Sequence, residues 1–442
     1  MKFELLRHLK CPYCGQNIKI EKIVFEEGDE LINGCVKCEC SNFPVLCGIL
    51  LLKESPLKDQ VIKFIKEGLT EEALICCLWP EKFEIIDSVR TFLQNSLGLP
   101  RALGTAISHL AQIKAEKASK KLFKQYSSEK SSFFSLLGSD LFESYLKHRF
   151  STDSFWSLYP FIPLLKAKKE RILDLNCGAG HASFVISNYV EPGQLVSADI
   201  SFKLLYLGKK YFAPKAQFIC IDTNFPLPFE NGLFSSIVMS DALQYVHSRI
   251  GLAREMKRTL SPKGLLLLLH VHNSLTFNPG AGYALSPKSW TNLFEVAQIV
   301  IKTIPELKVV QDFIFENKLD LTQKHAEEVL NSANGLIFLS TLDKSLLTTY
   351  SNVDQEFLEV KDNLIINPIF KARKSGDKIL LERPDCKLFS GDSYQFSEHY
   401  LPRKTEINGN IAEGIHVDIP DTSKVEDLMK KFVLINVPNN YV

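Results

Sequence analysis

From residue 171 onward, two hydrophobic periods alternate along the chain. Short, nearly continuous apolar runs of strand length cover 171–175, 194–199, 217–222, 233–240 and 264–270. Between them, apolar residues recur at three- and four-residue spacings over 181–190, 202–212 and 243–259. The first period predicts strands and the second helices. Strands that alternate with helices of this length specify an α/β fold, a parallel sheet covered on both faces. Ligands bind such sheets in the crevice at the carboxyl ends of the strands. Further on, 287–300 reads as a helix, 306–315 and 335–340 as two last strands, and 322–331 as a helix between them.

The pattern divides the rest into three segments around a main domain at 151–342. Residues 1–55 read as a small ribbon, with strands over 17–25 and 30–33 and a turn at 26–29. Residues 56–150 read as mostly helical, with apolar faces over 59–68, 80–96 and 103–125 and a loop at 131–135. The stretch 141–165, rich in aromatic residues, precedes the first strand of the main domain; it is expected to close over a ligand as a lid or to pack against the sheet. Residues 343–442 form a C-terminal appendage, with a hairpin expected over 363–372 and 378–383 around the turn Ser375-Gly376-Asp377.

At 442 residues the chain exceeds one ordinary domain, and its formal charge is only +1. That balance neither requires nor excludes nucleic acid. The longest apolar runs, 45–52 and 264–269, are too short to span a bilayer. The first ten residues have no apolar core of signal-peptide length, so a cytoplasmic chain is expected. Six of the eleven cysteines lie between Cys11 and Cys47. Without an export signal, a metal site explains them better than disulfides. Cys11–Cys14 and Cys35–Cys38 are two CxxC pairs that predict a four-thiolate structural zinc. Cys40 is a competing ligand, and Cys47 reads as core.

In 171–183, RILDLNCGAGHAS, the first strand runs into a tight turn carrying Asn176, Gly178 and Gly180 at every second position after Asp174. Glycine admits positive φ and close ligand approach, and Asn is the side-chain-bearing residue that best tolerates that region. Asp199 and Asp222 end the second and third strands. Three acids thus converge on one crevice.

These pieces (ILDLNCGAG, VSADIS, FICIDTNFPLPFENGLFSSIVMSDALQYV and REMKRTLSPKGLLLLL) resemble class I S-adenosylmethionine-dependent methyltransferases, the broad group that includes quinone-biosynthesis enzymes. The resemblance implies a Rossmann-like sheet of seven strands and S-adenosylmethionine as cofactor. It implies that Asp199 accepts the ribose hydroxyls, that Ile200 packs on the adenine, and that Asp222 with Thr223 takes the adenine amino group. Gly178 and Gly180 would admit the cofactor, Asp174 hold its loop or amino group, and Ser240 lie beside the methionine portion. Asn176 departs from the family by standing where its first glycine usually is. A dinucleotide enzyme also uses an acid after the second strand, but the motifs after the third and before the fifth belong to the methyltransferase pattern.

The start of the chain, LLRHLKCPYCG…CVKC…FPVLCGILLL, resembles the zinc-ribbon family of the small subunit that activates tRNA and protein methyltransferases. That implies a zinc-stabilised partner surface, here acting in cis or toward another protein, a role also open to the appendage. His247, His270 and His272 are candidate bases for an acceptor that must lose a proton. A small-molecule or lipid-like acceptor, methylated on O, C or N, is the leading expectation. RNA is the second, with the ribbon and Lys114–Lys130 gripping phosphate as in ribosomal-RNA guanine methyltransferases that pair a ribbon with this fold. A non-catalytic scaffold or activator of a partner methyltransferase is the third.

Overall fold

The N-terminal apolar run Phe43–Leu52 is interrupted only by Pro44, Cys47 and Gly48, and such a run needs cover on both faces. It gets that cover by joining the main sheet. After β1 (Lys19–Glu27) and β2 (Glu30–Lys37) come β3 (Asn42–Leu46) and β4 (Ile49–Leu51). Cys47 and Gly48 both take left-handed conformations, φ 52° and 72°, and so turn the chain tightly between Leu46 and Ile49. Strand β4 then pairs in parallel with a strand of the main domain, Leu50 opposite Ile219.

The computed structural model describes residues 1–80, 131–137, 145–146, 149–278, 282–359, 363–375, 378–383, 400–408 and 422–441. The expected helix over 103–125, the lysines of 114–130 and nearly all of 80–96 lie outside them. The main strands are β5 (Ile172–Leu175), β6 (Leu195–Asp199), β7 (Gln217–Cys220), β8 (Phe234–Ser240), β9 (Leu260–His272) and β10 (Lys302–Pro305). They are followed by β11 (Lys318–Asp320) and β12 (Gly335–Thr341). One sheet of 11 strands results, in the order β1-β2-β3-β4-β7-β6-β5-β8-β9-β12-β10. Pairing is parallel from β4 to β9, and β12 runs antiparallel to both β9 and β10. Seven strands, β7 through β10 in that order, make the Rossmann-like α/β sheet. The order reverses at β5, with β6 on one side and β8 on the other, which opens the crevice at their carboxyl ends.

Two expected elements differ. Residues 306–315 form a helix, Glu306–Glu316, and the strand is the preceding β10. Val309, Val310 and Phe313 are buried at helical spacing, while Leu307 and Phe315 stay exposed; Pro305 and Glu306 suit a helix start. The loop expected at 131–135 includes the start of a short helix, Phe133–Leu137, whose Phe133 is fully buried.

Beyond 343, β13 (Thr349–Ser351) pairs with β11. Then follow β14 (Leu364–Ile366), β15 (Lys371–Ser375), β16 (Lys378–Glu382), β17 (Lys404–Asn408) and β18 (Leu434–Asn436). Strands β15 to β17 form a small sheet in which β15 pairs with β16; the first arm of the expected hairpin is therefore 371–375 rather than 363–372, because β14 pairs with β18 instead. This region shares the main core. Phe432 packs on Trp156 with ring centroids 4.1 Å apart, and Tyr441 stacks on Phe133 at 5.5 Å.

Leu50 is fully buried where ribbon and main domain meet. Leu50→Ala is expected to lower the free energy of unfolding by about 2–5 kcal/mol, read by urea denaturation. Phe25→Ala, at a half-exposed position on edge strand β1, should cost less than about 1 kcal/mol.

Candidate active site

The turn after β5 takes left-handed geometry three times: Asn176 at φ 56°, Gly178 at 55° and Gly180 at 90°. A Cβ added at Gly178 would meet nothing within 4 Å among the described residues, whereas one at Gly180 would touch Ser183 and Phe212 side-chain atoms at 3.5 and 3.6 Å. Gly178 therefore borders open space, and Gly180 starts the helix His181–Ser187 that packs behind it. The open space is a cavity of about 560 Å³. Asp174, Asn176, Gly178, Asp199, Ile200, Asp222, Thr223 and Ser240 all line it. Gly180 is the one expected cofactor residue that does not.

The acids are held by their surroundings. Asp199 Oδ2 accepts the Gly178 N–H at 2.9 Å and Oδ1 the Ser201 N–H at 2.9 Å. Burial pushes its carboxyl up, and these backbone donors pull against that. Each oxygen keeps a second lone pair for a ligand. Asp222 Oδ1 accepts both N–H groups of Asn224, backbone and side chain, at 2.9 Å. Asp174 is fully buried, accepts the Ser183 hydroxyl at 2.5 Å, and is pushed up to about 7 by burial.

On the far side of the cavity, Asp241 is the hub. Tyr145 donates to its Oδ2 at 2.8 Å, Gln244 Nε2 donates to Oδ1 at 2.8 Å, and His272 Nε2 stands 3.3 Å from Oδ1. Arg149 approaches it at 3.9 Å while also bonding Ser154 and, at 3.4 Å, Ser240. Burial opposes the charge on Asp241, but His270, His272 and Arg149 outweigh it and hold the carboxyl well below the usual range. The two histidines arrive by a bulge. Leu268 faces Phe338 and Val271 faces Leu336, so β9 has one residue more than β12 over this interval. His270 sits in that bulge at φ 50°, and its ring lies 5.3 Å from that of His272. His270 Nδ1 pairs with the buried Glu306 at 2.5 Å. Burial disfavours its charged form, yet Glu306 and Asp241 push it up to about 9.

Of the candidate bases, then, His270 and His272 sit beside Asp241 without lining the cavity themselves. His247 is exposed against Tyr283. Tyr145, Arg149 and Leu146 come from the segment 141–165, expected as lid or packing, part of which packs into the core. Leu146, Phe155 and Leu158 line the cavity, while Trp156 and Tyr159 are core. Glu306 begins a helix whose apolar spacing also fits a strand, so the sequence carries no signal for its place beside His270.

The cysteines gather differently from the expected set. Cys11, Cys14, Cys38 and Cys40 bring their sulfurs within 4.8 Å of one another. Cys11–Cys40, Cys14–Cys38 and Cys38–Cys40 stand 3.6, 3.7 and 3.4 Å apart. Four sulfurs about 2.3 Å from a tetrahedral zinc would be about 3.8 Å apart, so the set fits that ion. Cys35 is excluded by the pleat of β2. It faces one core with Leu46 and Ile49, while Val36 faces the other beside Cys11. The tight return in which Cys38 N–H donates to Ser41 brings in Cys40 instead.

The burial of Asp174 has a pH consequence. Its folded value lies above that of an unfolded aspartate, so the stability it contributes is complete below about 4 and is lost as pH rises through 7, at about 1.4 kcal/mol per unit. The Tm of Asp174→Asn relative to wild type, in cofactor-free protein, is expected to rise from pH 5 to pH 8 by differential scanning fluorimetry.

Comparison with known proteins agrees with this geometry. Residues 173–268 match the family model of the methyltransferase domain. Demethylmenaquinone methyltransferase of Chlamydia muridarum is 29% identical over 123 residues, 27% of this chain and 52% of that protein. Malonyl-acyl-carrier-protein O-methyltransferase of Legionella pneumophila is 26% identical over 111 residues, 25% and 39% of the two chains. The match therefore spans about half or less of these relatives. Among solved structures, geranyl diphosphate C-methyltransferase from Streptomyces coelicolor is similar with a TM-score of 0.32 at 11% identity, covering 42% of this chain and 76% of that one. The sheet at the centre of the chain is Rossmann-like, and its residues 173–268 match the methyltransferase domain.

Proposed function

We propose that the chain is an S-adenosylmethionine-dependent methyltransferase acting on a small, largely apolar acceptor. The observation that carries this is the cavity at the carboxyl ends of β5, β6 and β8, floored by the left-handed turn and walled by Asp199 and Asp222. S-adenosylmethionine, when bound, supplies an electrophilic methyl on a sulfonium. Asp199 has two oxygens, each with a lone pair left to accept a ribose hydroxyl. Ile200, 44% exposed, offers an apolar face to the adenine beside Asp222. Gly178, without a Cβ, lets the ligand reach the turn.

Away from the acids of the turn, Leu137, Leu146, Phe155 and Leu158 line the cavity, with Tyr145, Arg149 and Tyr245 among the polar groups there. An apolar wall with a few placed polar groups suits a small molecule. The matched Chlamydia relative is named for such an acceptor, demethylmenaquinone. Rigid walls would hold the acceptor in line with the methyl, and positioning supplies much of the rate of such a transfer.

Calorimetric titration of the purified chain with S-adenosylmethionine is expected to show one site. Asp199→Ala should weaken it by about 10- to 100-fold, the loss of hydrogen bonds to a charged group. A wild-type chain that binds none would reject the enzyme reading.

We also propose that Cys11, Cys14, Cys38 and Cys40 hold a structural zinc ion. Elemental analysis is expected to find the zinc lost in Cys40→Ser and retained in Cys35→Ser. The reverse pattern would restore the two-CxxC set.

A further inference from the structure

Asp241, His270 and His272 place one carboxylate oxygen and one nitrogen from each imidazole within 4.8 Å of one another. They sit at the carboxyl ends of neighbouring strands, Asp241 just past β8 and both histidines at the end of β9. We propose that these three residues bind a divalent first-row metal ion, at a site separate from the cysteine cluster.

Two imidazoles and one carboxylate, with positions left open, form a donor set that such ions favour. The 3.3 Å between Asp241 Oδ1 and His272 Nε2 is what two ligands about 2.0–2.1 Å from a tetrahedral ion would show. The surrounding groups are those that orient ligands. Glu306 engages Nδ1 of His270, the pairing of carboxylate with imidazole that sets the ring of a ligating histidine. Its other oxygen, Oε1, is buried and has no hydrogen-bond partner among the described residues. Tyr145 and Gln244 fix the Asp241 carboxylate from outside the trio. Trp290 Nε1 donates to the His272 carbonyl at 2.9 Å and so fixes the backbone of that ligand. Gly335, opposite His272 in β12, leaves room that a Cβ would take from the Glu306 carboxylate.

Two of the three donors also sit in costly backbone geometry, Asp241 at φ 54° and His270 at φ 50°. Neither is a glycine, and strain of this kind persists where the surroundings enforce it. Asp241 borders the cavity, so a bound ion would have an open position near the acceptor. There it would draw in an anionic oxygen such as a phenolate or enolate, a consequence that rests on the methyltransferase reading, whereas metal binding does not.

The test is a Co²⁺ titration of the chelator-treated 442-residue chain, followed by absorption. Two equivalents are expected. One shows the strong sulfur-to-cobalt charge-transfer bands of the cysteine set; the other shows only the weak visible bands of nitrogen and oxygen ligands. Cys40→Ser should lose the first alone and His272→Ala the second alone. A wild-type chain that takes up no nitrogen- and oxygen-ligated equivalent overturns the site without any variant having to fold. A second equivalent that survives in both His270→Ala and His272→Ala overturns it too. Because the readout is metal uptake, it stands apart from whether S-adenosylmethionine binds.

Discussion

Buried carboxylates at the ends of parallel strands are the constraint from which the rest of the site follows. Asp174, Asp199 and Asp241 lie at or just beyond the carboxyl ends of β5, β6 and β8, and little solvent reaches any of them. A charge in such a place persists only with partners. Each acid has found different ones. Asp174 has a hydroxyl from the following helix, Asp199 has two backbone N–H groups, and Asp241 has a tyrosine, an amide, an imidazole and a nearby guanidinium. The partners explain why the three groups differ electrically within one cavity. Asp174 is pushed toward neutrality by burial first and then by the Asp199 charge, against the Ser183 hydrogen bond, whereas Asp241 is held ionised by His270, His272 and Arg149.

The same cavity is finished by parts of the chain far from the sheet in sequence. Tyr145, Leu146 and Arg149 come from the segment before β5, and Tyr441 from the last strand region bonds the Leu146 carbonyl and stacks on Phe133. His181, at the helix start beside the turn, is packed among Phe150, Phe212 and Tyr441; burial first, and then Arg149, keeps it neutral. The roof is thus an aromatic layer whose apolar burial joins the segments that precede and follow the main domain in the chain. At the opposite edge, the ribbon is joined through backbone pairing of β4 with β7. This leaves edge strand β1, with exposed Ile20, Ile23 and Phe25, as the outer rim.

Much of this was legible in the residues. The alternation of periods marked β5 to β9, and the spacing of Asn176, Gly178 and Gly180 marked a turn with positive φ. The acids after β6 and β7 pointed to the crevice. Legibility failed where a residue's neighbours come from elsewhere in the chain. Cys35 and Cys38 form as good a CxxC as Cys11 and Cys14, yet the pleat of β2 sends Cys35 to the opposite face. Apolar residues at 307, 309, 313 and 315 fit alternation as well as helical spacing, so 306–315 reads as a strand and nothing in the sequence singles out Glu306.

Sequence alone determined the class of fold, the carboxyl-end crevice of the parallel strands and the turn and acids that line one side of the cavity there. All of these follow from local periodicity and from backbone chemistry within a few residues. Tertiary structure decided which four cysteines meet, that the ribbon extends the main sheet, and that Asp241, His270, His272 and Glu306 converge. These depend on strand pairing, on a one-residue bulge in β9 and on which face each side chain occupies, and pairing partners distant in the chain leave no periodic trace in it.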